Sequence, residues 1–365
     1  MTQLRTGIIG GGLITQVEHL PNLIAQPDLF RVVGVVDPSQ TVRSHLAARY
    51  GIAAFETAEA LLGEALDAVV IATPDAYHAD LVVKALERGL HVFCEKPLCY
   101  SVADAARVRA ARDGAGRVVQ VGYMKRFDPA YRALCDLLAA RSGPVRAVNV
   151  DVVDSDAWAY VAHRDLIQSD DVAPALIAEG GARRAEQVAS ALGFTPEPAG
   201  FKGFSGPYCS SIIHDLNLVQ GLLAVIDTRI DRPVGAAFIE GDAGGFLAAK
   251  LTPGDSVVAM TWVAAPKVAY YSERISLVFE DAVYELRFPS PYLNHQPTAL
   301  IERRSDGHHL REIHHRPSYA EPFVEELEAW HAAIVTGGAV VNTVEQAETD
   351  IRLLADFARL AMGRS

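Results

Sequence analysis

Thr6-Gly7-Ile8-Ile9-Gly10-Gly11-Gly12-Leu13-Ile14 is an apolar strand that runs into a glycine turn and out into a helix. Gly10 permits the tight turn, and Gly12 lets backbone amides approach a pyrophosphate at the start of the helix. Thr15 stands where the Gly-x-Gly-x-x-Gly pattern asks for a third glycine. Upstream, the strand begins at Leu4. Downstream, Leu13 to Ala25 reads as a helix with Ile14, Val17, Leu20 and Ile24 at helical spacing and a kink at Pro21. Arg31 to Val36 is a second strand, ending in Asp37-Pro38. A carboxylate at that place accepts both ribose hydroxyls and repels a 2′-phosphate, which favours NAD over NADP. An Asp-Pro pair is also a common turn former.

The alternation continues to Gly122. Val42 to Tyr50 reads as helix, Ala68 to Ala72 as strand, and Asp75 to Arg88 as a helix closed by Gly89. Leu90 to Cys94 and Arg117 to Val121 are strands, with the helix Val102 to Arg112 between them. Continuous apolar strands separated by amphipathic helices mean a parallel sheet covered on both faces. After Val145 the strands lengthen and alternate. Ile275, Leu277 and Phe279 share one face. Tyr284, Leu286 and Phe288 share one face of the next run, across a Glu280-Asp281 turn. Val234 to Ile239 and Val257 to Val263 are similar, so a mostly antiparallel sheet with one covered face is expected. Residues 155–207 interrupt it with a helix over Ala182 to Leu192 and a loop rich in Pro, Gly and Phe. Pro322 to Ile334 and Val344 to Met362 read as helices. The expected architecture is α/β: a parallel-sheet domain over 1–123 and an α+β domain over 124–342 with a large open sheet. A helix over 343–365 is expected to pack back near the first domain.

Chemistry gathers at the carboxyl ends of the parallel strands, where open α/β sheets bind ligands. Thr73-Pro74 ends the third apolar strand, at the edge where a nicotinamide would lie. Glu95-Lys96-Pro97 closes the run Gly89-Leu90-His91-Val92-Phe93-Cys94. A lysine there is either a surface residue paired with Glu95 or an amine facing a pocket. Beside a cationic nicotinamide its pKa falls, and it serves as acid or base near neutrality. Gly122-Tyr123-Met124-Lys125-Arg126-Phe127 leaves the last parallel strand at the same edge. On Ser210-Ser211-Ile212-Ile213-His214-Asp215-Leu216-Asn217 a helix starts, with Ser210 and His214 on one face. His19 and His78 fall on early helical turns and read as structural, although His78 is close to the cofactor edge. His308, His309, His314 and His315 flank a Ser305-Asp306-Gly307 turn. Successive histidines on strands point to opposite faces, so no metal site is expected.

The set Gly10-x-Gly12-Leu13-Ile14, Thr73-Pro74-x4-His78, Glu95-Lys96-Pro97-Leu98 and Val119-Gln120-Val121-Gly122-Tyr123-x2-Arg126-Phe127 resembles the glucose–fructose oxidoreductase/inositol dehydrogenase (Gfo/Idh/MocA) family. The resemblance implies a Rossmann domain followed by an α+β domain whose open sheet mediates homodimers or homotetramers. It implies that Gly10, Gly12, Leu13, Ile14, Asp37, Thr73, Pro74, His78, Glu95, Lys96 and Arg126 bind NAD. Lys96 is then the residue in contact with both substrate hydroxyl and nicotinamide ribose, and His214 takes part in proton transfer. Many members have an aspartate four residues before that histidine; here it is Ser210, which cannot balance an imidazolium. Tyr208 and Asp154 are the candidate replacements. Tyr123, Lys125, Asp154, Trp158, Ser210 and Asn217 are candidate substrate contacts, with Tyr160 and His163 beside Trp158. The implied reaction is hydride transfer between a secondary hydroxyl of a sugar, inositol or other polyol, an aminosugar included, and NAD. Two alternatives stand beside it: a glycosidase or epimerase that oxidises transiently with tightly held NAD, and a non-catalytic NAD-binding regulator.

Composition excludes other classes. The 365 residues suit two domains, and half are hydrophobic with 21% charged, which is not a disordered chain. A net charge of −12 disfavours nucleic acid as a partner. No apolar run approaches the ~20 residues that span a bilayer, and Met1 to Arg5 lead straight into a strand rather than a signal peptide. Cys94, Cys99, Cys135 and Cys209 form no Cys-x-x-Cys pair, so reduced thiols in a cytoplasmic protein are expected.

Overall fold

A computed structural model describes residues 2–240 and 242–364; Met1, Gly241 and Ser365 lie outside the described residues. The outermost residues of the domains expected at 1–123 and 343–365, and the Met1 end of the leader reading, fall there. In chain order the elements are β1 Leu4–Ile9, α1 Leu20–Ile24, β2 Phe30–Val36, α2 Gln40–Tyr50, β3 Ala53–Phe55, α3 Ala58–Leu62, β4 Ala68–Ile71, α4 His78–Glu87, β5 His91–Glu95, α5 Val102–Ala115, β6 Val119–Gly122, α6 Pro129–Ala139, β7 Ala147–Asp154, α7 Trp158–Val161, α8 Pro174–Leu192, α9 Pro198–Gly203, α10 Ile213–Val225, β8 Arg229–Ile239, β9 Gly244–Thr252, β10 Val257–Ala264, β11 Ser272–Val278, β12 Ala282–Phe288, β13 Ala299–Asp306, β14 His309–His315, α11 Pro322–Thr336 and α12 Val344–Ala361.

The chain divides into two compact units, one of residues 1–123, 162–193 and 323–351, the other of 124–161, 194–322 and 352–365. These bounds differ from the expected 1–123, 124–342 and 343–365. Half of the interrupting segment and the helix α11 belong to the first unit, because side-chain bonds and an aromatic stack tie them there.

The first unit is built on a six-stranded sheet in the order β3-β2-β1-β4-β5-β6, every pair parallel. Strands β4 and β6 are buried at every residue, as parallel strands covered on both faces must be. The order reverses between β1 and β4, and this switch point is where such sheets open a ligand crevice. Trp330 of α11 stacks on Phe30 at 6.0 Å and meets the edge of Phe93 at 5.7 Å, closing the core over one sheet face. Burying an aromatic of this size contributes on the order of 2–3 kcal/mol. The helical run after the glycine turn is widened to a π-turn over Thr15–His19, just ahead of Pro21. Proline lacks the N–H that would bond the preceding turn, so the wide turn is the form its missing donor takes.

The second unit holds an eight-stranded sheet in the order β14-β13-β12-β11-β7-β10-β9-β8. All its pairs are antiparallel except β7 with β10. Val148, Val150 and Val152 of β7 are buried while Asn149 and Asp151 are exposed, the pattern of a sheet with one covered face. A second π-helical stretch, Phe204–Ile212, contains Pro207 and leads directly into α10. No helix among the described residues is long and apolar enough to cross a membrane.

Candidate functional site

The crevice of the first unit begins at Gly10, whose φ is +106°. A Cβ there would lie 2.3 Å from the Ala72 carbonyl oxygen, so only glycine lets β1 and the end of β4 come together. A Cβ on Gly12 would meet nothing within 4 Å: the space before the helix start is open. Thr15, in the place of the third glycine, is fully buried and donates its hydroxyl to the Gly10 carbonyl at 2.7 Å. The hydroxyl braces the turn from inside, so the missing glycine does not disturb it.

Asp37 follows β2 and accepts the Gly11 and Ser39 N–H groups, each at 2.8 Å, one on each carboxylate oxygen. Burial raises its pKa above the ordinary aspartate value against the pull of those two amides. It stands where a ribose diol is expected. Thr73 lies two residues beyond Ile71, and Lys96 two residues beyond Cys94, on neighbouring strands paired at Ile71 and Cys94. The two therefore sit level at one sheet edge. The Thr73 hydroxyl oxygen is buried without a hydrogen-bond partner. An open glycine turn, a diol acceptor and an unanswered hydroxyl on one crevice fit a dinucleotide.

Lys96 is half-buried. The carboxylate before it is turned to other work: Glu95 Oε1 lies 2.7 Å from His19 Nε2, and Oε2 accepts the Lys96 backbone N–H at 3.1 Å. Burial pushes the Glu95 carboxyl up, but the His19 bond and the charges of His19 and Lys96 outweigh it and hold it below the usual range. Beneath this pair Glu326 of α11 is fully buried, and neither of its carboxyl oxygens has a hydrogen-bond partner. Burial and the charges of Glu95 and Glu18 push its pKa well above normal. Glu95 is thus held ionised next to Lys96, and Glu326 is held toward its neutral form. Sequence reasoning treated His19 as structural and did not single out Glu326. A histidine one π-turn behind a glycine motif was the available signal for the first; a glutamate inside an apolar helix was the signal for the second.

Two expected cofactor residues are spent elsewhere. His78 is buried, with Nδ1 2.7 Å from the Pro97 carbonyl oxygen and Nε2 2.8 Å from that of Thr73. It braces the ends of β4 and β5 and has no ring nitrogen left for a ligand. Arg126 is buried in the second unit, and its Nε and Nη2 both donate to the Asn217 carbonyl, at 3.2 and 2.9 Å. Its guanidinium anchors α10 rather than facing solvent.

The second unit carries its own ionisable cluster. Lys125, 8% exposed, lies 3.0 Å from Asp215 and 2.7 Å from Glu273. The Tyr271 hydroxyl donates to Glu273. Burial would lower the Lys125 pKa, but its two carboxylates raise it. Asp215 is pushed up to about 8, because burial and the Glu273 charge outweigh Lys125. Burial also raises Asp154, which feels both Lys125 and Glu273. His214, half-buried, is the second residue of α10, beside Asp215. Ser210 lies in the π-helical stretch and donates its hydroxyl to the Ser205 carbonyl at 3.2 Å. Tyr208, offered as a stand-in for the missing aspartate, is not one: it is fully buried and donates to the Phe246 carbonyl at 2.9 Å. Asn217 is buried, and Trp158 is exposed on α7. Tyr123, buried at the end of the first unit, accepts from Asn342 at its carbonyl. Among the described residues no three His, Cys, Asp or Glu side chains converge as metal ligands; His314 and His315 pair with Glu312 and Glu302.

Comparison with known proteins agrees with this geometry. The family described as "Oxidoreductase family, NAD-binding Rossmann fold" matches residues 4–123. The chain is 28% identical over 347 residues to inositol 2-dehydrogenase 1 of Saccharopolyspora erythraea, covering 92% of this chain and 87% of that protein. It is 34% identical over 131 residues to the NAD(+)-dependent scyllo-inositol 2-dehydrogenase of Bacillus subtilis, 35% of this chain and 38% of that one. Among solved structures, that of an oxidoreductase of Desulfitobacterium hafniense, described as NADPH-dependent, superposes with a TM-score of 0.77 at 17% identity. All of this chain and 97% of that one are covered, a likeness of fold.

Proposed function

We propose that this chain is an oxidoreductase of the Gfo/Idh/MocA type, an NAD-dependent dehydrogenase of a polyol or sugar. The secondary hydroxyl of an inositol or related sugar is the group it oxidises, reversibly. Gly10, Gly12 and the start of the first helix hold the pyrophosphate, Asp37 the adenosine ribose, and Thr73 with Lys96 the nicotinamide end. When bound, the nicotinamide supplies the hydride acceptor and donor. Lys96, as the neutral amine, takes the hydroxyl proton while the carbon gives up its hydride; as the ammonium, it returns that proton to the ketone oxygen. Glu95, held ionised by His19, favours the charged lysine, so Lys96 can accept a proton at the moment it is released. His214, at the start of α10, is the second proton carrier. The relatives named as inositol 2-dehydrogenases support the cyclitol class.

One observation carries the reading: Lys96 stands level with Thr73 at the switch-point edge of a sheet whose glycine turn is open. Its test is a panel of inositol stereoisomers, sugars and aminosugars with NAD and NADP, followed by the absorbance of reduced nicotinamide. Formation of NADH with a cyclitol or sugar is expected. Tight NAD binding with no reduction by any panel member would defeat the dehydrogenase reading.

A further inference from the structure

We propose that Asp171, on the segment that interrupts the sequence between the two sheets, sets the choice between NAD and NADP by filling the place of a ribose 2′-phosphate. The inference rests on the dinucleotide reading above and adds a specificity residue to it.

Residues 162–193 belong to the first unit, and hydrogen bonds tie them to it on both sides of the glycine turn. Gln16, just past the glycine turn, exchanges two hydrogen bonds with the backbone of Ile167, 3.0 and 2.9 Å, while its amide also donates to the Gly11 carbonyl at 2.8 Å. Arg164 donates to the Val17 carbonyl at 3.2 Å. Further along, Tyr77 donates to the Leu176 carbonyl at 3.4 Å and Arg184 pairs with Asp75 at 2.8 Å. The strap is therefore fixed on one side near the end of β2 and on the other near the end of β4. Strand β1 and its glycine turn lie between those two in the sheet.

At the β2 side the fixing group is a carboxylate. Asp171 Oδ2 accepts both the backbone N–H and the hydroxyl of Thr41, each at 2.9 Å, and Oδ1 accepts the Ser169 hydroxyl at 2.8 Å. Thr41 is the second residue of α2, an eleven-residue helix whose N-cap is Ser39. The start of a helix favours an anion, and a 2′-phosphate beside Asp37 would seek the same amide and hydroxyl. Arg43 lies alongside, with its Nη1 at 3.1 and 2.9 Å from the carbonyls of Asp37 and Pro38. The Thr41 amide and hydroxyl are donors that a phosphate would use, and the chain's own carboxylate occupies them, while the Arg43 guanidinium is held by the Asp37 and Pro38 carbonyls. The charge of Asp171 is also felt at Asp37. Hydrogen bonds from Ser39, Thr41 and Ser169 hold the Asp171 carboxyl well below the usual range, so it is ionised at neutral pH. A 2′-phosphate would have to displace it and then sit between two carboxylates. A ribose 2′-hydroxyl meets no such obstacle.

The test is titration calorimetry of NAD, NADP and adenosine 2′-monophosphate on the whole chain, wild type against Asp171→Ala and Asp171→Asn. The asparagine variant keeps the shape of the contact if the alanine variant loosens the fold. The ratio of NADP affinity to NAD affinity is expected to rise about tenfold in both, with adenosine 2′-monophosphate following NADP. A ratio within about twofold of wild type in both variants overturns the proposal, even if both affinities fall together, since a strap that merely covers the cofactor weakens both alike. Wild-type protein that binds neither dinucleotide refutes the dinucleotide reading itself.

Discussion

Two lysines follow the last two strands of the parallel sheet, and their surroundings separate chemistry from architecture. Lys125 is clamped by Asp215 and Glu273 in a dry cluster, and its charge is fixed by two partners. Lys96 is half-buried, and the carboxylate beside it gives one oxygen to His19 and the other to the backbone. A buried charge with two salt bridges holds elements together and exchanges protons with difficulty. Lys96 instead has beside it a carboxylate that His19 holds ionised, and that charge tunes the amine.

The contrast makes predictions of decreasing size. Lys125→Met should destabilise the protein by about 3–5 kcal/mol in chemical denaturation, because the buried Glu273 carboxylate loses its cation and Asp215 its partner. A loss under about 1 kcal/mol would mean that the clamp is not structural.

Glu326→Gln should stabilise the protein at pH 7 by roughly 1–3 kcal/mol. The sign follows from its raised pKa. Below the unfolded value both states hold the proton, and stability is full. As pH rises above that value toward the folded one, only the unfolded chain ionises, and stability falls. The wild type should therefore lose stability between mildly acidic and neutral pH, and the variant should lose less. Parallel pH–stability curves would show that Glu326 does not titrate in this range.

The smallest effect belongs to Glu95→Gln. Removing the negative charge next to Lys96 disfavours the ammonium, so the lysine limb of the pH–rate profile should move down by about one unit. An unmoved limb would mean that Glu95 serves the fold alone.

Much of the first unit was legible. The strand–glycine–helix start, the carboxylate after β2 and the lysine after β5 are local patterns, and the sheet places them on one edge. The hairpin of β11 and β12 was legible for the same reason: two alternating runs flank a short polar turn. What escaped depends on distant partners. β3 and α3 are too short for periodicity to mark. Helix α8 begins at Pro174 rather than Ala182, running through Gly180 and Gly181. A Cβ on Gly180 would lie 3.1 Å from the Tyr77 hydroxyl, so close packing there explains that glycine. The strap had no pattern at all, since Asp171 reaches Thr41 across 130 residues. The family resemblance implied a cofactor role for His78 and Arg126, while the position of His78 on an early helical turn read as structural. Burial and carbonyl partners, which sequence does not display, turned both into braces.

Replacing Lys96 by methionine tests the central claim most directly, with turnover and NAD affinity measured on the same preparation. The amine's role in proton transfer predicts turnover lower by roughly 10²–10⁴-fold with NAD affinity changed only a few-fold. Turnover near that of the wild type would contradict it.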